Sequence, residues 1–128
     1  MKSPQTVYVI VGDPIPLARA RHIHNRVYDS QKALKLINGI TLRGQHGDKP
    51  LLSGPLHLDV QFYMPIAATS RKKAFYHVFK PDLDNLIKWI CDIANTILYN
   101  DDCIVSKITA TKMYDKNPRT EFTLEVLE

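Results

Sequence analysis

The sequence predicts a small mixed α/β fold (α+β), a single domain over residues 1–128 in which a mixed or antiparallel sheet packs against two main helices. Three observations carry this. A chain of 128 residues that is 45% hydrophobic can bury a core without disulfides or a structural metal. Four stretches are rich in β-branched or alternating apolar residues. Two others place apolar residues at helical spacing.

In order, residues 6–11 are β-branched and aromatic without charge, and predict a buried strand ended by Gly12-Asp13-Pro14. Pro14 and Pro16 keep the next segment out of helix. Arg19, Arg21, His22, His24 and Arg26 then follow with no acid among them; the alternation predicts an extended segment or short ribbon turning at Asn25. Ser30 is placed to cap a helix over 31–42, with Leu34 and Ile37 as its apolar stripe and Ala33, Ile40 and Thr41 nearby. Gly44, Gly47, Pro50 and Gly54 mark residues 43–54 as loop. Residues 55–64 give the clearest strand: Leu56, Leu58, Val60, Phe62 and Met64 alternate with more polar neighbours until Pro65. The connection over 66–80 holds Arg71, Lys72, Lys73, His77 and Lys80, again without an acid, and its length suits a functional loop. A helix over 85–98 is predicted, with Asp84 as N-cap and Leu86, Ile90, Ile93 and Ile97 on its apolar stripe. Tyr99-Asn100-Asp101-Asp102 turns the chain into a strand over 103–113. Asp115-Lys116-Asn117-Pro118 then turns it into a last strand, expected to pair with the previous one as a hairpin.

Net charge is +4 and the pI about 9.1, so the sum of charge argues only weakly for a polyanionic partner; its distribution argues more. No leader and no apolar run of membrane-spanning length is present, which makes the cytoplasm the expected compartment. Cys91 and Cys103 are expected as buried reduced thiols. His22 and His24 lack a second ligand pair at matching spacing, which argues against zinc.

Chemistry gathers in Lys80-Pro81-Asp82-Leu83-Asp84-Asn85-Leu86-Ile87-Lys88 and in Asp101-Asp102. Hard cations such as magnesium and manganese take one or two carboxylates plus water and substrate phosphate. Converging carboxylates repel by roughly 3 kcal/mol per pair at ~5 Å and a dielectric of ~20, so such a cluster needs a cation, a proton or Lys88. A helix of about 14 residues is roughly 21 Å long, so Asp101-Asp102 reaches Asp84 only if the following turn and strand fold back alongside, or if a partner subunit supplies it. Structural readings stand beside the metal reading. Asp84 can be a cap, Asp82 can complement the helix dipole and Asp101-Asp102 can be turn residues. Lys88 can be a solvated lysine, and Asp92 is expected to pair with it at i+4.

The run from Lys80 to Lys88, with Asp92 and then Asn100-Asp101-Asp102, resembles the signature of RusA-type Holliday junction resolvases. Pro14-Ile15-Pro16-Leu17-Ala18-Arg19-Ala20-Arg21 resembles the family's proline- and arginine-rich segment, and Ser53-Gly54-Pro55-Leu56 also fits, so the resemblance covers nearly the whole chain. It implies a RusA-like homodimer that cuts four-way DNA junctions with magnesium (manganese as substitute), by paired symmetric nicks. Carried over by position, Asp82, Asp84 and Asp102 are the catalytic, metal-holding acids and Lys88 the catalytic lysine. The segment before Asp102 is one residue shorter than the family form, which leaves Asp101 as a rival. Leu17 and Ala20 stand where a lysine and a proline are common. Arg19, Arg21, Arg71, Lys72, Lys73 and Lys80 are the candidates for phosphate contact, with binding expected to weaken steeply with salt. The rival functions are a nuclease for flaps or forks, a junction binder that does not cut, and a transferase using Asp-x-Asp to hold a metal–nucleotide. A glycine-rich phosphate loop for the last is absent.

Overall fold

The structure, a computed structural model, describes residues 5–18, 21–23, 26–28, 30–67 and 74–128, with 21–23 and 26–28 described by their backbone alone. The elements are β1 (Tyr8–Val11), β2 (Arg21–Ile23), β3 (Arg26–Tyr28), α1 (Lys32–His46), β4 (Leu56–Met64), α2 (Leu83–Ala94), a 3-10 turn (Asp102–Ile104), β5 (Val105–Tyr114) and β6 (Arg119–Val126). The mixed α+β class and the sheet on two helices are therefore as expected, and the arginine-bearing segment is a two-stranded ribbon of β2 and β3.

β4 organises the sheet because its alternation is unbroken over nine residues, with every second side chain buried. Leu58, Val60 and Phe62 share one core with Tyr8, Phe122 and Leu124 from β1 and β6, Leu42 from α1, and Leu86, Trp89 and Ile90 from α2. Strand order is β1-β6-β4-β5, with β4 parallel to β5 and the other pairs antiparallel. A parallel pair needs a crossover, and α2 lies in it. No helix among the described residues is long and apolar enough to cross a membrane.

Expectations for the last hairpin, both helices and the cysteines are corrected. β6 does not pair with β5 as a hairpin; β4 lies between them. The Asp115–Pro118 turn hops over the end of β4, where Asp115 N–H donates to the Met64 carbonyl at 3.0 Å. Two strand spacings are about 10 Å, which four residues span easily.

The first helix runs past 42 to His46, so the loop begins only at Gly47. Its last turn is held by contacts distant in sequence: the Gln45 amide bonds both backbone groups of Val9, and His46 bonds Tyr8 and the Pro50 carbonyl. Its N-cap is Gln31 rather than Ser30. Its buried face is Asn38, Gly39, Leu42 and His46, while Leu34, Ile37 and Ile40 are exposed. Gly39 sits inside a helix for a packing reason, since a Cβ there would lie 3.0 Å from Ile97 Cδ1.

The second helix is shorter than expected, ends at Ala94, and has Asp82 as its N-cap residue rather than Asp84. Both cysteines are free, but Cys91 is only half-buried and Cys103 is exposed.

Candidate active site

The entry to α2 is the first half of the site. Asp82 is extended, at φ −69° and ψ 143°, and its side chain makes no capping bond to the helix. The first helical bond is backbone only, Leu86 N–H to the Asp82 carbonyl at 3.2 Å. Both Asp82 and Asp84 are exposed. Lys88 stands one turn further, its Nζ 3.8 Å from an Asp84 carboxylate oxygen. This pair is well solvated and adds little stability. Capping therefore consumes neither aspartate; both residues are exposed, and Asp84 has the Lys88 ammonium beside it.

Lys112 sets the position of this entry. From β5 its Nζ donates to the Phe79 carbonyl at 2.6 Å and the Pro81 carbonyl at 2.9 Å, bracketing Lys80. The strap over residues 75–77 also pairs with the end of β5: His77 N–H donates to the Lys112 carbonyl and Tyr114 N–H to the Phe75 carbonyl. On the other side, Leu17 N–H donates to the Asn85 carbonyl at 3.0 Å, which ties the proline segment to the first turn of α2. The Gln31 amide holds that segment by bonding the Pro16 carbonyl and the Ala18 N–H. The chain that leads into Arg19 and the ribbon thus leaves from beside Asp84.

Asp101 and Asp102 form the second half, at the far end of α2. Asp101 caps the 3-10 turn, accepting from Cys103 N–H at 3.0 Å. That amide, then the hydrogen bond with Asp102, hold the Asp101 carboxyl below its ordinary range. Asp102 is pushed the other way, first by partial desolvation, then by the hydrogen bond that its protonated form donates to Asp101 and by the negative charges of Asp101 and Asp92. Asp92 pairs with Lys35 of α1 at 3.1 Å, not with Lys88 as expected; Lys88 takes Asp84 instead. Tyr99, buried and donating to the Cys91 carbonyl at 3.0 Å, fixes this end of the helix.

The two halves do not meet within one chain. Twelve residues of α2 span roughly 18 Å. The seven steps from Val105 to Lys112 along β5 span roughly 23 Å. No group of three or more acidic, histidine or cysteine side chains placed to hold a metal exists among the described residues. Asp82 and Asp84 together supply the two carboxylates that a magnesium-like ion needs alongside water and phosphate.

Of the proposed phosphate contacts, Lys80 is exposed next to the acids. Arg21 lies on β2, where only backbone is described, and Arg19, Arg71, Lys72 and Lys73 lie outside the described residues, as does the turn at Asn25. Sequence reasoning missed Lys112. Its signal is a lysine in step along the strand with Ala110 and Tyr114, which pack against the core. It also missed the ring-rich run Phe75-Tyr76-His77-Val78-Phe79, whose bulky apolar residues are all exposed.

Comparison with known proteins agrees with the motif. A family model described as Endodeoxyribonuclease RusA matches residues 12–125. The chain is also 28% identical over 130 residues to Uncharacterized protein YqaN of Bacillus subtilis (strain 168), covering 89% of this chain and 91% of that one.

Proposed function

This chain belongs to the endodeoxyribonuclease RusA family, and from that premise we propose that it is a metal-dependent resolvase of four-way DNA junctions that acts as a homodimer over a single domain of 128 residues. The observation that carries the reading is the entry to α2, where Asp82 and Asp84 stand exposed, uncommitted to capping, with Lys88 beside Asp84.

Oxygen-only donors suit a hard divalent ion, magnesium or manganese. Asp82 and Asp84 of one chain and Asp102 of a second copy would hold it, where its chemistry is to polarise the scissile phosphate and supply an activated water. Asp102 is favoured over Asp101 because Asp101 is already committed to its 3-10 turn. Lys88 offsets negative charge that grows on the phosphate as the bond breaks. Lys80, with Arg19, Arg21, Arg71, Lys72 and Lys73, holds the strand by its phosphates, so affinity falls steeply as salt rises. Two such sites related by a two-fold axis suit paired nicks in strands of like polarity.

The test is cleavage of a labelled four-way junction, a flap and a linear duplex in magnesium, for the native protein and Asp84→Asn. Symmetric nicks on the junction, lost in Asp84→Asn while junction binding survives, are expected. Preferred cutting of the flap would move the substrate class. Binding without cutting in either metal would overturn the enzyme reading.

A further inference from the structure

Immediately before the acids, the chain displays aromatic rings to solvent. Phe75, Tyr76, Val78 and Phe79 are 63%, 61%, 77% and 69% exposed. Bulky apolar side chains left in water this way cost the folded state and mark contact surfaces. The strap that bears them is not slack. Its backbone pairs with β5 at Phe75 and His77, and Tyr76 forms a bridge with Met113. Lys112 holds the Phe79 carbonyl, and the His77 ring packs on Tyr114 at 5.0 Å between centroids. Phe75 and Tyr76 fix each other edge to face at 4.9 Å. The rings are thus presented on a pinned backbone, and no described element covers them.

On the basis of the proposed function, we infer that Phe79, with Phe75 and Tyr76, forms a stacking platform for bases unstacked at the branch point of the DNA substrate. Position argues for this occupant. Phe79 and Asp82 are three residues apart, so their Cα atoms lie within about 11 Å. Nucleotides in a duplex strand rise about 3.4 Å each, which puts the Phe79 ring within roughly three nucleotides of a phosphate held at Asp82. Chemistry argues for it too. The exposed apolar residues of α1, Leu34, Leu36, Ile37 and Ile40, are aliphatic, whereas here three of the four carry aromatic rings, and aromatic faces take any base without regard to sequence. Lys80, exposed at the end of the strap, supplies a cation for the neighbouring backbone. A branch point that is held open offers base faces that a continuous duplex keeps stacked. Such a platform therefore adds selectivity for branched structure to the sequence-independent hold of the phosphate contacts.

The test uses the full-length protein with calcium in place of magnesium, so that binding is read without cutting. Native protein, Phe79→Ala, Phe79→Leu and Phe79→Trp are titrated onto a four-way junction carrying 2-aminopurine at the branch, and onto a linear duplex of matching sequence. Base–aromatic stacking lost to alanine corresponds to a fall of roughly 5- to 150-fold in junction affinity. Phe79→Leu, which keeps bulk without a ring, should fall with it, Phe79→Trp should retain affinity, and the 2-aminopurine signal that native protein produces should vanish in the first two. Equal junction affinity and signal in Phe79→Ala would overturn the platform while leaving the proposed function intact. So would a shift of Phe79→Ala and Phe79→Leu from dimer to monomer in sedimentation, because a second copy would then be what covers the rings. Native protein that does not distinguish junction from duplex at all would instead sink the proposed function, and the platform with it.

Discussion

Lys112 does more for the candidate site than its place in a strand suggests. Its ammonium replaces solvent at two backbone carbonyls that flank Lys80, and so fixes the approach to Asp82 without touching a carboxylate. Charge-assisted bonds of this kind are about twice as strong as neutral ones. Misplacing a reacting group by about 1 Å can cost about 100-fold in rate. Lys112→Met should therefore lower the single-turnover cleavage rate by about 10- to 100-fold, with junction affinity less affected, and Lys112→Arg should restore part of it; single-turnover kinetics with pre-bound junction separates the two effects. In the core, Trp89 Nε1 donates to the Asn38 side-chain oxygen at 3.0 Å, and both residues are buried. Trp89→Phe leaves that oxygen without its donor and shrinks the side chain. A loss of about 1–3 kcal/mol for the orphaned oxygen is expected, with packing loss in addition, read by urea unfolding.

At the scale of elements, the Asp115–Pro118 turn bears the topology, since it lets β6 land on the far side of β4. One Asp115 carboxylate oxygen accepts from Asn117 N–H at 3.0 Å and from Arg119 Nη1 at 2.8 Å. The Asn117 amide first, and Arg119 after it, hold this carboxyl below its ordinary value of 3.8. A carboxyl depressed in the folded state stabilises it above that ordinary value, and the stabilisation is lost as pH falls through the depressed one. Asp115→Asn should accordingly lower Tm at neutral pH, with the gap to native protein closing in acid; thermal melts across pH check this. The same turn shows where the sequence stops being informative. Four turn-forming residues between two strands are the local signal of a hairpin, and only the competition of β4 for β6 decides otherwise. β4 and β6 each alternate cleanly and bury one face, so they suit the sheet interior. β5 carries Ser106 and Lys107 in its exposed half, as an edge strand does. The buried face of α1 was hidden for a similar reason. Beside Leu42, its interior positions are Asn38, Gly39 and His46, whose partners Trp89, Ile97 and Tyr8 are distant in sequence, while Leu34, Leu36, Ile37 and Ile40 face out. The acid-bearing start of α2, by contrast, was legible to within two residues, because Pro81, two aspartates and a regular apolar stripe are local signals.

The proposed function raises, at the scale of the whole molecule, the question of how three acids would act together when Asp82 and Asp84 lie at one end of α2 and Asp102, in the 3-10 turn, beyond the other. A closed two-fold dimer answers it if the α2 entry of each copy faces the Asp102 turn of the other. Activity per chain should then fall on dilution below the dimer dissociation constant, as it does for any site that needs association. Mixing supplies the sharper test. Asp84→Asn alone and Asp102→Asn alone should each be inactive in junction cleavage. After subunit exchange, half of the dimers are mixed, and each mixed dimer holds one site with both substitutions and one with none, so about a quarter of native sites return. Sites built within a chain would return nothing, since each chain in the mixture lacks one acid. Because a single intact site per dimer makes one nick and cannot make the symmetric pair, the restored activity should leave the junction nicked in one strand. Native dimers should yield two linear duplexes. Denaturing gels report the nick and native gels report resolution. Restored nicking without resolution would therefore establish together that the acids act across subunits and that resolution needs both sites.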